Sequence, residues 1–338
     1  MKSRVSILIP AFNAGPWIAD TIQSALDQTW PDKEIIVVVD AGSQDQTLAE
    51  ARRFASKTVS VVTRPHQSAA AARNVAFDLC QGDFIQWLDA DDLLGRDKVA
   101  LQMRAAEQIA SPKTLLSSEW GCFFFRRSKA RFQPTSLWCD LAPDEWLLRK
   151  MGRNEHMQPA TWLVRREIIE AAGRWNEKIL VDEDGEYFCR LVLASDGIRF
   201  IPGAKVFYRT SGSGSYTTRT LFNMEERWKS VQMQFAHLRA LRDSEPVRAA
   251  CVNYLQNWLI YFYPQRPDIV TQADELAASL GARLTRPRLR WKYAWMQKVL
   301  GYEAARRAQF ILPEFKGRVL RSWDKAMFQL EGLKGARN

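Results

Sequence analysis

The sequence predicts an α/β fold: a mostly parallel sheet flanked by helices, followed by a C-terminal helical appendage. Three observations carry this. Strand-like and helix-like segments alternate from Val5 to Gln108, the pattern of consecutive βαβ units. The strand segments are short, nearly unbroken apolar runs, as expected where a sheet is covered on both faces. After Thr220 the apolar residues recur every three or four positions, the spacing of amphipathic helices. A chain of 338 residues holds one large domain with an appendage, or two domains. The boundary is expected at 219/220, with residues 1–219 as the α/β domain in two halves of about 1–110 and 111–219, and 220–338 as a basic, Trp-rich helical region.

Val5–Ile9 reads as a buried strand stopped by Pro10. Asn13 is placed to cap a helix with Pro16 in its first turn, running to about Gln28 with Ile18, Ile22, Ala25 and Leu26 on its apolar face. Glu34–Val39 is the second strand and ends in Asp40-Ala41-Gly42-Ser43; Thr47–Ser56 is a helix, Val59–Thr63 a strand, and Ala69–Leu79 a helix. A fourth strand from Phe84 ends in Asp89-Ala90-Asp91-Asp92, and Asp97–Gln108 is helical. Thr114–Arg127 reads as strand, followed by a polar, Trp-containing segment to Arg153. Trp162–Val164 is a short strand, Arg166–Ala172 a helix stopped by Gly173, and Glu186–Ala194 a helix behind a second acidic cluster, Asp182–Glu186. Lys205–Tyr208 is the last strand and Ser211–Ser215 a Gly/Ser loop. Leu221–Leu241 and Val247–Phe262 are amphipathic helices, the second stopped by Pro264, and shorter helical pieces carry Trp291, Trp295 and Val299. These C-terminal stripes are expected to pack between helices.

With 46% hydrophobic and 25% charged residues, the composition is that of a globular domain and excludes a disordered or fibrous chain. Five scattered cysteines with no C-x-x-C pair argue against a disulfide framework and a zinc knuckle. Met1–Arg4 leads directly into the first strand without a signal-peptide core, and no run approaches the length of a membrane span; a cytoplasmic location is expected. Residues 281–338 hold 14 Lys/Arg against 4 Asp/Glu, so the formal net charge of +10 resides there. A basic, Trp-rich appendage fits the anionic inner face of a cell membrane or an anionic lipid-linked ligand. Nucleic-acid binding is the competing reading, weakly supported by a basic patch alone, and a solvated surface is the plain one.

The acidic stretch carries the chemistry. Asp89 and Asp91 sit two apart, so in an extended backbone their side chains leave on the same side. Like charges this close repel and raise each other's pKa unless a cation or hydroxyl-rich ligand lies between them. Carboxylate oxygens suit hard cations such as Mg2+ or Mn2+. The alternative is a solvated turn in which Asp92 caps the next helix. In parallel sheets ligands bind beyond the C-terminal strand ends, where Asn13, Asp40, Gly42 and Asp89–Asp92 all fall.

Taken in order, these motifs resemble the family 2 glycosyltransferases of GT-A fold: Val5–Asn13, Val39–Asp45, Ala71-Ala72-Arg73-Asn74, Trp87–Asp92, Gly173–Glu177 and Glu183–Arg190. The resemblance covers roughly residues 4–215 and implies a Rossmann-like nucleotide-sugar half followed by an acceptor half. It implies an inverting, metal-dependent transferase that moves a sugar from a nucleoside diphosphate sugar, UDP-linked by expectation, to an acceptor hydroxyl in surface polysaccharide or lipid-linked glycan assembly. By that resemblance Asp40 hydrogen-bonds the base, and Pro10, Ala11, Phe12 and Asn13 line base and ribose. Arg73 stands near the nucleotide, where its fork suits a diphosphate or a carboxylate of the site. Asp89 reaches the ribose or a metal-bound water, Ala90 beside it belongs to the nucleotide-sugar site, Asp91 with Asp89 binds Mn2+ or Mg2+, and Asp184 is the catalytic base, with Glu183 the alternative one residue earlier.

Two departures stand out. Gln67-Ser68-Ala69-Ala70 replaces the glycine common before the Ala71 helix, and Tyr208-Arg209-Thr210-Ser211 lacks the histidine many members carry after the last strand. Arg209 and the loop 211–215 are the candidate substitutes. His156, before Gln158-Pro159, is the histidine nearest the acceptor-side motifs; a structural role is the plain reading and an acceptor role the other. Acceptor choice is expected between Glu119 and Pro159 and in the C-terminal helices. A non-catalytic module that binds a nucleotide sugar, or a membrane or nucleic-acid scaffold, is the alternative function.

Overall fold

A computed structural model describes residues 3–65, 68–210 and 223–335. The chain divides into two compact units: 1–122 with 130–150 and 155–209, and 123–129 with 151–154 and 210–338.

Among the described residues, the first unit is built on a nine-stranded sheet. Its strands are β1 (Val5–Ala11), β2 (Lys33–Asp40), β3 (Val59–Arg64), β4 (Phe84–Trp87), β5 (Leu93–Leu94), β6 (Thr114–Phe123), β7 (Arg131–Phe132), β8 (Leu163–Arg165) and β9 (Gly197–Arg209). They lie in the order β3-β2-β1-β4-β8-β6-β9-β5, with β7 on β6. β3, β2, β1 and β4 pair in parallel; β8 against β4 and β6, β7 against β6, and β5 against β9 are antiparallel. The first half is therefore the predicted parallel sheet, whose inner strands β1, β2 and β4 are buried at nearly every position. The second half turns antiparallel.

Helices α1 (Ile18–Leu26), α2 (Thr47–Arg52), α3 (Ala69–Leu79), α4 (Lys98–Gln108), α5 (Pro143–Arg153), α6 (Arg166–Ala172) and α7 (Glu183–Leu193) accompany these strands. α1 and α4 bury Ile18, Ile22, Val99 and Met103 against Ile7, Ile9 and Val37 in one core. Several boundaries differ from the sequence expectation. Asn13 does not cap α1: it adopts φ 48°, and its Oδ1 accepts from the Gln44 backbone N–H at 2.9 Å. The helix starts only at Ile18, and Trp17 precedes it. α2 ends at Arg52, α5 forms in the polar, Trp-containing segment to which the sequence reading assigned no element, and α7 begins at Glu183 rather than Glu186. α3 starts without the family glycine because Ser68 caps it, its Oγ accepting from Ala71 N–H at 3.1 Å; Gln67 lies outside the described residues. α6 ends at Gly173, whose φ of 81° favours glycine.

The second unit is helical: α8 (Met224–Arg239), α9 (Glu245–Phe262), α10 (Pro267–Ala278) and α11 (Trp291–Gly335). Trp228, Val231, Phe235 and Leu238 are buried on α8, and Val247, Cys251, Tyr254 and Phe262 on α9, as the stripes predict; Leu221 lies outside the described residues. Trp228 meets Phe262 edge-on at 5.6 Å. α11 is one long run interrupted at Gly301, with Pro313 inside it. Here the expectation of a packed stripe fails: Trp291, Trp295 and Val299 are 79%, 62% and 72% exposed, because no further layer among the described residues covers that face. No helix among the described residues is long and apolar enough to cross a membrane.

Candidate functional site

The sheet register brings the predicted residues to one rim. Ala11 of β1 pairs with Val39 of β2, and Leu8 of β1 with Trp87 of β4, so Phe12-Asn13, Asp40 and Asp89 emerge at three neighbouring C-terminal ends. Asp40 and Asp89 are two strands apart, about 10 Å, a span a nucleoside can bridge. Pro10 and Ala11 are largely enclosed in β1, whereas Phe12 is 48% exposed. Asp40 Oδ1 accepts from Gly42 N–H at 2.7 Å, and a Cβ on residue 42 would stand 3.2 Å from that oxygen. The Asn13 and Gly15 N–H groups donate to Ser43 Oγ at 3.4 Å and Asp45 at 2.8 Å. These bonds lace the β1 and β2 ends into one loop wall. Ala90 is buried, and its carbonyl accepts from Thr21 Oγ1 at 2.9 Å.

Of the three carboxylates after β4, Asp89 and Asp92 have different surroundings. Asp89 accepts from Arg73 Nη2 at 2.8 Å. Asp92 caps no helix. It is fully buried, accepting from the Arg209 N–H at 2.8 Å and from Gln158 Nε2. Burial, then the charges of Asp91 and Asp89, hold its pKa well above the usual carboxylate range. β5 pairs with the end of β9 through Leu93 and Phe207, which sets Tyr208 and Arg209 beside the carboxylates. Arg209 Nε donates to the Asp91 carbonyl at 2.8 Å, its guanidinium lies 4.4 Å over the Trp17 ring, and Nη2 reaches Asp20 at 3.4 Å. This candidate substitute for the family histidine is thus buried and braces the Asp91 turn; loop 211–215 lies outside the described residues.

Arg73 joins the two acidic motifs. It sits on α3, 4% exposed, with Nη2 on Asp89 and Nη1 on Glu183 at 3.1 Å. Its fork therefore takes the carboxylate partners, both from the site itself. Burial works against its charge, but Asp89 and Glu183 outweigh it and raise the pKa. The guanidinium also lies 4.3 Å over Trp175, which stacks on Tyr187 at 3.9 Å and meets Trp87 edge-on at 5.4 Å. Next on α3, Asn74 exchanges two hydrogen bonds with the Trp175 backbone, both 3.0 Å, and donates to Glu177 at 2.8 Å. Trp175 and Asn74 stood inside the motifs without an assigned role; what reveals their work is contact across about 100 residues.

At the start of α7, Glu183 and Asp184 diverge. Glu183 is held by Arg73, although burial keeps its pKa above the ordinary value. The Asp184 carboxylate has no hydrogen bond among the described residues, and burial, reinforced by Asp182 and opposed by Arg73 and His156, pushes its pKa up to about 6. A carboxylate that titrates near neutrality suits proton abstraction. His156 lies close enough to feel Asp184: desolvation lowers its pKa and the Asp184 charge raises it. Its ring is 5.1 Å from Trp120, which meets Tyr208 at 6.1 Å.

Among the described residues no three His, Cys, Asp or Glu side chains converge as a metal centre. The donor set nevertheless fits a hard cation: crowded carboxylates whose mutual repulsion already raises Asp92, where one or two oxygens suffice if phosphates and waters complete the shell.

A half-parallel, half-antiparallel sheet with helices on its faces and carboxylates at the C-terminal rim defines the GT-A class of glycosyltransferase folds. Residues 6–171, just under half of the chain, match Glycosyl transferase family 2, and that segment is a domain of this family. The UDP-Glc:alpha-D-GlcNAc-diphosphoundecaprenol beta-1,3-glucosyltransferase WfgD of Escherichia coli is 35% identical over 100 residues, 29% of this chain and 39% of that protein. The chain spans between 15% and 41% of the length of the first curated relatives it matches. S. aureus TarS 1–349 in complex with UDP-GlcNAc superposes with a TM-score of 0.64 at 16% identity, covering 90% of this chain and 91% of that one. The mannosyltransferase PcManGT of Pyrobaculum calidifontis, in complex with GDP-Man and Mn2+, gives 0.56 at 18% identity over 96% and 88%.

Proposed function

We propose that the chain is an inverting, metal-dependent glycosyltransferase of the cytoplasm, moving a sugar from a UDP-sugar to an acceptor hydroxyl in polysaccharide or lipid-linked glycan assembly. The transferase domain is taken as 1–219 and the helical region as 220–338. The observation that supports the reading is the Arg73 fork, which ties Asp89 to Glu183, the residue before Asp184.

In this reading the base lies on Phe12 and hydrogen-bonds to Asp40, with Pro10, Ala11 and Asn13 around base and ribose. Asp89 and Ala90 support the ribose side. Bound Mn2+ or Mg2+ would neutralise charge on the departing diphosphate, held by Asp91 with the Asp89 oxygen that Arg73 leaves. Asp184 accepts the acceptor's proton as the hydroxyl oxygen attacks C1. The new C1–O bond forms on the face opposite the breaking bond to the diphosphate, which inverts the anomeric centre with no enzyme nucleophile. Glu183, neutralised by Arg73, is the weaker base. The names of WfgD, which carries a diphosphoundecaprenol acceptor, and of TarS, solved with UDP-GlcNAc, support the acceptor and donor classes.

The test is a screen of UDP- and GDP-sugars with Mn2+ and lipid-linked acceptors, read by nucleotide release and by the anomeric configuration of the product. Transfer from a UDP-sugar with inversion is expected. Nucleotide binding without transfer to any acceptor would favour the non-catalytic reading.

A further inference from the structure

α11 carries an apolar face that its own fold does not use. Leu312, Phe315, Val319, Trp323 and Leu330 follow one another at spacings of three, four, four and seven, a single helical stripe, and are 48%, 63%, 55%, 59% and 51% exposed. Before the Gly301 break, Trp291, Trp295 and Val299 make a second stripe with the same character. The helix is anchored chiefly by its other side, with Arg126 also 5.2 Å over the Trp323 ring. Asp324 accepts from the Phe125 and Arg126 N–H groups at 2.9 and 3.1 Å and from Arg126 Nε at 2.7 Å, and Phe328 lies 6.3 Å from Phe125. The exposed stripe is thus held outward, not left over from a frayed terminus.

Charge decides what fits this face. Residues 281–338 carry the chain's whole excess of +10, and Lys292, Lys298 and Lys316 stand exposed beside the stripes. The four acidic residues of α11 are each matched internally: Asp324 and Glu331 by Arg126, Glu303 by Arg307 and Glu314 by Arg318. A second copy meeting the same face symmetrically would bring like charge to like. An anionic bilayer supplies what is missing, with headgroups for the cations and an acyl boundary for Trp, Phe and Leu.

We propose that the exposed face of α11 docks on an anionic lipid bilayer, lying in its surface plane without crossing it. This surface shares no residue with the candidate transfer site and does not depend on the transferase reading, since binding is measured without donor or acceptor. The experiment is flotation of the full chain with phosphatidylglycerol/phosphatidylcholine vesicles and with phosphatidylcholine vesicles alone. At least about tenfold tighter binding to the anionic vesicles is expected, weakening with salt, with a blue shift of Trp emission. Phe315→Glu with Trp323→Glu should lower binding by roughly tenfold or more, and Lys292→Gln, Lys298→Gln and Lys316→Gln by about fivefold per charge. Both sets should leave the melting temperature and UDP binding unchanged. Equal binding to both vesicle types, no binding, or a wild-type dimer in light scattering that Phe315→Glu with Trp323→Glu dissolves would each overturn the proposal, the last in favour of a second copy.

Discussion

Four tryptophans of the sheet unit and three on α11 have opposite surroundings. In the sheet unit Trp87, Trp146, Trp162 and Trp175 are each at most 3% exposed, joined in ring contacts with Tyr187 and Phe188. They form a wall on which Arg73, Glu183 and Asp89 hold their geometry. On α11, Trp291, Trp295 and Trp323 are 79%, 62% and 59% exposed among lysines and arginines. One residue type serves as scaffold in the first case and as surface in the second. The difference teaches that aromatic content says little about role until the neighbours are known.

The contrast can be broken or sharpened by measurement. The largest effect is expected where the wall meets chemistry: Asp184→Asn should cut transfer by about 10³-fold, as should Asp91→Ala. Asp184→Asn should retain UDP binding by calorimetry; if it transfers at near wild-type rate while folded, Glu183 becomes the base. Next, Trp162→Ala should cost roughly 3–4 kcal/mol in urea unfolding, because it opens a cavity in a fully buried cluster. Arg73→Met leaves the nearly buried Glu183 without its cation, and about 3 kcal/mol of stability should go with it. Smaller still is the pH response. If Asp184 is the base, as proposed, it must be deprotonated; burial pushes its pKa up to about 6, so kcat/KM should be flat above that pH and fall tenfold per unit below it. Trp323→Ala should change unfolding by no more than about 0.5 kcal/mol. A large loss there would mean the stripe is core after all.

Much of this was readable along the chain because the determinants are local. Unbroken apolar runs specify strands buried on two faces, and carboxylates directly after such a run must emerge at the rim, wherever the strand packs. Asp40, Asp89 and Asp91 were placed by that argument, and the motif order pointed to Asp184. Other features depend on partners far away in sequence. Asp92 looked like a helix cap, but β5 pairs with the end of β9 and buries it under Arg209. Asn13 looked like a cap for α1, yet bonds across to Gln44. The polar segment before Arg153 hid α5, because the sequence did not show which neighbours would bury Trp146 and Leu147.

By itself, the sequence determined the strand and helix alternation, the rim position of the acidic residues and the excess charge of 281–338, all set by short-range pattern and composition. Only the tertiary structure decided that Arg73 bridges Asp89 and Glu183, that burial raises Asp184 towards neutrality, and that the α11 stripe faces outward. Each of those turns on desolvation and on contacts between residues far apart in the chain, quantities that no local pattern contains.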